Sequence, residues 1–309
     1  MPTAISNILQ VAIRGFRPLL NNLSLEMERA GQDVLARAEV HLPENMVVAP
    51  DTIGNMRAEW FHTLGAPEDE VVIYFHGGAY VAGSIESNRP LAVDFAQATK
   101  RNVLSFEYRL APEHPFPAAL EDSIAVYRYV LSLGIAPERI AFAGESAGGG
   151  LEIVTALKAR ELGLPLPAAI VAISPWTDLT LRGPSYTENE KVDPLLLRKK
   201  LVRAVMYYAY GQDLQNPFIS PLYADFTGFP PTLIHVGTHE LLLSDSQALY
   251  RMMRRDGVDV TMEEWEGMWH VWHVFDIPES HIAFMEIADY ILTHIGAERS
   301  PAELDTPTD

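Results

Sequence analysis

The run Gly144-Glu145-Ser146-Ala147-Gly148, followed by Gly149 and Gly150, has the clearest chemical meaning in this chain. It fits G-x-S-x-G, and its setting carries the weight: residues 140–143 before it read as a buried strand, and the residues after it as a helix. In that strand–turn–helix context a serine sits on a tight, strained elbow that lifts its hydroxyl above the end of the sheet. Flanking glycines keep side chains out of the turn. Ser146 would then stand at a helix N-terminus, where the backbone N–H of Ala147 can face a developing oxyanion. The chemistry implied is nucleophilic attack by a serine hydroxyl on a carbonyl carbon. A second run complements it: Val71-Val72-Ile73-Tyr74-Phe75 leads into His76-Gly77-Gly78-Ala79-Tyr80. A strand ending in His-Gly-Gly-small offers further backbone N–H donors beside such a nucleophile. Alone, that segment would read as a glycine-rich turn with a structural histidine.

Both runs need a scaffold, and the chain supplies the pattern of one. From about residue 36, short β-rich runs alternate with helical patterns, which predicts a mostly parallel sheet with helices on both faces. Residues 57–64 roughly alternate and read as an edge strand. Residues 71–75, 102–109, 139–144, 168–174, 231–237 and 260–266 read as further strands. Helices are expected over 88–100, 117–133 (opened by Pro117, ended by Gly134), 151–162 and 281–295. A helical stretch over 194–210 with no strand beside it breaks the rhythm. It fits an insertion above the sheet, about residues 180–215. With an amphipathic helix over 4–21, inside a segment of about residues 1–35, it would form a two-part lid. There is no internal repeat, so residues 1–309 read as one domain with a lid, and the polar residues 300–309 as a disordered tail.

Composition narrows the partners. Hydrophobic residues make up 48% of the chain, enough for a substantial core. A formal net charge of −18 repels nucleic acid and anionic membrane surfaces. The absence of cysteine removes disulfides, thiolate nucleophiles and Cys-based metal centres. No stretch is long and apolar enough to span a bilayer. At the N-terminus Arg14 and Arg17 follow the apolar residues instead of preceding them, unlike a signal peptide, so a cytoplasmic location is expected.

A third run is Tyr108-Arg109-Leu110-Ala111-Pro112-Glu113-His114-Pro115-Phe116-Pro117-Ala118-Ala119. It is joined by Ser174-Pro175-Trp176-Thr177-Asp178-Leu179, Ser220-Pro221-Leu222-Tyr223-Ala224-Asp225 and Pro230-Pro231. Together with the serine and His-Gly-Gly runs, these resemble the hormone-sensitive-lipase-like esterases, the bacterial GDXG lipolytic family of the α/β-hydrolase fold, over about residues 35–295. The resemblance implies an eight-stranded core, an N-terminal pair of lid helices, no cofactor, and hydrolysis of short- to medium-chain acyl esters. Some relatives look more like lactone hydrolases, and an amidase or peptidase could use the same groups. Matched by position, Ser146 is the nucleophile, His270 in Gly267-Met268-Trp269-His270 the catalytic histidine, and Gly78, Ala79 and Ala147 the oxyanion donors. Three positions depart from the family pattern. Glu145 stands where an aspartate is usual, Ala79 where a third glycine is usual, and Trp269 where a proline is frequent. Relatives often dimerise through the last strand, here residues 260–266.

Several assignments follow. Neutral His270 would take the proton of Ser146, so the rate should fall toward acid pH; no metal or nucleotide enters such a reaction. Tyr80, Trp269 and Trp272 lie within two residues of these elements and are expected to border the acyl and alcohol pockets. His273 would need further ligands to make a metal site with His270, and none follow at suitable spacing. His239-Glu240 lacks the second histidine of a zinc helix. Residues 190–193 before Pro194 read as a solvated turn. Two carboxylates compete to orient His270, Glu240 and Asp245, both after the strand over 231–237. Glu240 follows the strand end closely, and its separation from His270 matches the family's. Asp245 has its own explanation, because Ser244-Asp245-Ser246-Gln247 reads as a capping box opening a helix. Glu240 is therefore the expected triad acid.

Overall fold

The computed structural model describes residues 2–20, 23–37 and 42–296; the tail expected over 300–309 lies outside them. In chain order the elements are α1 (Ala4–Leu20), α2 (Leu25–Arg37), β1 (Met46–Ile53), β2 (Met56–Thr63), β3 (Val71–Phe75), α3 (Ile85–Thr99), β4 (Asn102–Phe106), α4 (Ala118–Ser132), β5 (Ile140–Glu145) and α5 (Ala147–Glu161). They continue with β6 (Ala169–Ile173), α6 (Ser185–Glu188), α7 (Arg198–Tyr208), β7 (Thr232–Gly237), α8 (Leu243–Arg255), β8 (Val260–Trp265) and α9 (Pro278–His294). The strands form one eight-stranded sheet in the order β1-β2-β4-β3-β5-β6-β7-β8. Only β2 runs against the rest: it pairs antiparallel with β1 and β4, and every later pairing is parallel.

Alternation along β3 shows why the sheet is covered on both sides. Val71, Ile73 and Phe75 pack into one cluster with residues of α4, α5 and α8, while Val72 and Tyr74 pack into another with residues of α3 and α9. All five are fully buried, as expected of a parallel strand between two helical layers. Strand order reverses at β3, which lies between β4 and β5, so the loops leaving β3 and β5 open a crevice at a topological switch point. The His-Gly-Gly run and Ser146 occupy those two loops.

Two expectations about the elements change. Residues 57–64 are not the edge: β1 lies outside them, joined to β2 through Gly54-Asn55 with Ile53 opposite Met56. Pro50 and Asp51 hide β1 from a propensity reading, yet an edge strand tolerates a proline. In addition, α3 starts at Ile85 instead of 88. Ser84 and Ser87 cap each other there, the Ser87 N–H donating to Ser84 Oγ at 3.0 Å and the Ser84 N–H to Ser87 Oγ at 2.8 Å.

The N-terminal helices dock chiefly through polar contacts. On α1, Leu9 and Ile13 join an apolar cluster of Met268, Trp269, Trp272 and Ile277. The α1 side chains Ile5, Ile8, Val11 and Phe16 instead face outward. Gln10 donates to the Gly267 carbonyl at 3.2 Å, Arg14 to that of Val192 at 2.6 Å, and Arg17 to those of Glu190 and Leu196 at 2.9 and 2.8 Å. On α2, Arg29 donates to the carbonyls of Val81 and Ala111 and pairs with Glu113, while Glu28 pairs with Lys200 and Arg203 of α7. Among the described residues no helix is long and apolar enough to cross a membrane.

Candidate active site

Ser146 caps the end of β5 with φ 57° and ψ −120°, and α5 begins at the next residue, four earlier than expected. Positive φ at a non-glycine residue is strained, and a strained serine at this turn is the elbow geometry. The elbow works only because Gly148 lacks a side chain: a Cβ there would run into the Phe75 carbonyl at the end of β3. Close packing of α5 on β3 thus brings the His-Gly-Gly loop beside the serine.

That loop is held from several directions. Gly78 (φ 118°), Ala79 (φ 56°) and Tyr80 (φ 63°) turn in succession through positive φ. Ala79 pays on the order of 1 kcal/mol for a conformation that glycine adopts freely. Buried His76 stacks on Tyr108, ring centroids 4.1 Å apart, and its Nδ1–H donates to the Gly77 carbonyl at 2.7 Å. Burial pulls the His76 imidazole down to about 4, so it is neutral and acts as a brace. The Tyr108 hydroxyl donates to the His76 carbonyl at 2.8 Å, which explains why the Tyr-Arg-Leu-Ala-Pro-Glu run accompanies the loop. Among the described residues, the N–H groups of Gly78 and Ala79 meet no protein acceptor. Ala147 is the first residue of α5, where no preceding helical carbonyl can take its N–H.

Glu145 ties loop to elbow, its carboxyl accepting the Gly77 N–H. Burial pushes this carboxyl up to about 8, against the pull of the Gly77 N–H and the Tyr74 hydroxyl. A carboxyl whose pKa rises on folding binds its proton more tightly in the folded chain. Its contribution to stability is full below the unfolded carboxylate value near ~4.3 and is lost as pH climbs. The loss is complete once the folded value of about 8 is passed. Glu145→Gln keeps an acceptor for Gly77 and cannot ionise. Its Tm should therefore gain on wild type between about pH 5 and about pH 8.5. A Tm difference that stays flat across that range would count against a buried proton on Glu145.

His270, after β8, closes the group. Its Nε2 lies 3.0 Å from Ser146 Oγ and its Nδ1 2.8 Å from Glu240 Oε2. Glu240 is fully buried, and its other oxygen accepts the Gly237 N–H at 3.0 Å. The structure therefore brings Ser146, His270 and Glu240 into one hydrogen-bonded line. Asp245 is elsewhere. It lies in the first turn of α8, but the helix starts at Leu243 with no side-chain cap, so the expected capping box is absent. One Asp245 oxygen instead accepts from the N–H groups of Thr177 and Asp178 (3.1 and 2.9 Å) and from the Tyr186 hydroxyl (3.0 Å). Burial raises its pKa well above the usual carboxylate range.

The three aromatic candidates separate. Tyr80 stacks on Tyr208 of α7, centroids 4.0 Å apart and rings 6° from parallel, which links the His-Gly-Gly loop to the insertion. Trp269 is buried with its ring against Phe275, in the cluster that receives Leu9 and Ile13 of α1. Trp272 packs between Trp265 and His273, with centroids at 5.6 and 4.1 Å, contacts that suit a packing role. The side chain of His273 meets a second histidine, its Nε2 3.3 Å from Nδ1 of buried His235. Desolvation lowers both imidazoles, His235 to about 3. His239 meets Gln10 of α1 at 3.2 Å.

The α/β-hydrolase fold family matches residues 72–274, a span that holds the His-Gly-Gly loop, the elbow, Glu240 and His270. This chain belongs to the hormone-sensitive-lipase-like esterases of that fold. An acetyl-hydrolase of Streptomyces hygroscopicus is 40% identical over 247 residues, 79% of this chain and 82% of the relative. An esterase of Acinetobacter venetianus is 33% identical over 92% of this chain and 93% of its own length. The crystal structure of an esterase from the bacterial hormone-sensitive lipase family is 36% identical. It superposes with a TM-score of 0.91 over 96% of this chain and all of that one.

One contact in this esterase escaped sequence reasoning. Asp193, expected in a solvated turn, has no exposed surface. Its carboxylate accepts from Leu195 and Leu196 at 2.9 and 2.8 Å and, across the structure, from the Leu241 N–H at 2.9 Å. Burial pushes it up to about 6, opposed by His270 and these three N–H groups. Asp-Pro before a helical run signals a local turn; nothing in it announces a long-range partner.

Proposed function

We propose that this esterase hydrolyses short- to medium-chain acyl esters of small alcohols through Ser146, His270 and Glu240, by way of an acyl-enzyme. The observation that carries this reading is the position of His270, whose two ring nitrogens bridge Ser146 Oγ and a fully buried carboxylate. His270 Nε2 accepts the hydroxyl proton as Oγ attacks the ester carbonyl, and Glu240 holds the imidazole in the tautomer that leaves Nε2 free. Negative charge on the former carbonyl oxygen falls to the N–H groups of Gly78, Ala79 and Ala147, preorganised by the braces around the loop. His270 returns its proton to the leaving alcohol; water then repeats the sequence on the acyl-serine and releases the acid.

The short-acyl preference rests on likeness to an acetyl-hydrolase, with Tyr80 and Trp269, neighbours in sequence of the oxyanion loop and of His270, as the proposed pocket walls. Helices α1, α2 and α7 are the proposed lid, since they are tied to the loops that follow β3, β7 and β8. A graded panel tests the reading: p-nitrophenyl esters from acetate to laurate, lactones, and matching p-nitroanilides. Turnover should peak within the shorter esters and be far slower on anilides. Trp269→Ala should move the peak to longer chains. A preference for lactones or anilides over every ester would overturn the assignment.

A further inference from the structure

We infer that Asp193, together with Asn189, is a positioning residue that fixes Glu240 for its contact with His270. The inference rests on Glu240 being the anionic partner of His270. Its basis is the peptide unit that joins Glu240 to Leu241, because both polar ends of that peptide are held by a single segment preceding α7. The Glu240 carbonyl accepts from Asn189 Nδ2 at 2.8 Å, and the Leu241 N–H donates to Asp193 Oδ2 at 2.9 Å. Asn189 Nδ2 also donates to the Thr238 carbonyl at 3.0 Å. Fixing this peptide plane fixes the backbone torsion next to the Glu240 Cα, and through it the direction of the side chain.

The chemistry of Asp193 goes beyond a local turn. A turn before Pro194 needs one oxygen, and Oδ1 serves it by accepting from Leu195 and Leu196. Oδ2 is left for the distant Leu241, and the whole side chain is removed from water to make that bond. Burying a carboxylate is costly unless its oxygens are matched. The segment is anchored in turn to α1, through Arg14 on the Val192 carbonyl and Arg17 on those of Glu190 and Leu196. An N-terminal helix is thereby linked to the acid of the triad without touching it.

Asp193→Asn cuts this link selectively. The amide oxygen can keep the turn to Leu195 and Leu196, while the NH2 group faces the Leu241 N–H and cannot accept from it. Kinetics on p-nitrophenyl butyrate would be measured for wild type, Asp193→Asn, Glu240→Gln and the double variant. Asp193→Asn should lower kcat on the order of 10- to 100-fold, as loss of alignment does, with KM changed less than about threefold. In the Glu240→Gln background the same substitution should cost less than about threefold, because the group it positions no longer carries charge. Equal losses in both backgrounds, a loss confined to KM, or no loss would overturn the inference. If Asp193→Asn does not fold, Asn189→Ala takes its place in the same cycle with a smaller expected loss of kcat. A Glu240→Gln enzyme as active as wild type would instead bring down the triad reading, and this inference with it.

Discussion

Ser146→Ala should leave a folded protein with ester turnover lower by a factor on the order of 10⁵–10⁶, the scale on which removing a serine nucleophile acts. Folding should be spared for three reasons. The hydroxyl's side-chain hydrogen bond is to buried His270, and the half-buried serine makes no other that the fold depends on. The elbow's backbone is held by Ser146 N–H on the Ile173 carbonyl and by Trp176 N–H on the Ser146 carbonyl, and both survive the change. Alanine meets the same difficulty at φ 57° as serine, so no new strain is added. The variant should also fail to react with an organophosphonate that labels wild type one to one. Stoichiometric labelling of Ser146→Ala, or turnover within about a hundredfold of wild type, would place the nucleophile elsewhere.

The serine was legible because everything that makes it reactive is local. Strand, tight turn and helix follow one another within a dozen residues, and the glycines that permit the turn are adjacent in sequence. Buried strands were legible for a similar reason: Val71–Phe75 is a five-residue β-branched and aromatic run, too short for a helix and typical of a strand covered on both faces. By contrast β1 carries Pro50 and Asp51, and its identity depends on pairing with β2. The Ser84–Ser87 cap that starts α3 was present in the sequence as a reciprocal serine pair, a weaker signal than Ser with Glu.

Long-range polar contacts were hidden. Nothing around Asp193 distinguishes a carboxylate that opens a turn from one that also reaches Leu241, 48 positions away. The docking of α1 was legible only in part: of its periodic apolar residues Leu9 and Ile13 pack against the body of the protein, whereas Ile5, Ile8 and Phe16 face outward. Gln10, Arg14 and Arg17 add the polar part of the docking, through backbone carbonyls that no pattern of side chains reveals. Charged side chains that read as solvated surface are here the link between the N-terminal helix and the loops of the site.

Glu240→Gln should lower kcat by roughly 10⁴ with KM and Tm little changed, the loss expected when an imidazole keeps its place but loses its anionic partner. Geometry makes the comparison clean. Glutamine can still accept the Gly237 N–H with its oxygen, so the loop stays where it is. Its NH2 group then faces His270 Nδ1 and favours the tautomer in which Nδ1 accepts and Nε2 carries the proton. In that tautomer Nε2 cannot take a proton from Ser146, although the chain of contacts looks intact. Asp245→Asn is the control, and its environment explains why. Burial already disfavours the charged form of its carboxyl, and the asparagine oxygen can accept from Thr177, Asp178 and Tyr186 as Oδ2 does. That variant should keep kcat within about tenfold of wild type. Asp245→Ala strips three buried donors of their acceptor and should cost about 1–3 kcal/mol for each left without another partner. Steady-state kinetics and thermal unfolding of the three proteins separate an acid that serves the reaction from one that serves the fold. A near-dead Asp245→Asn beside an active Glu240→Gln would reverse the two roles.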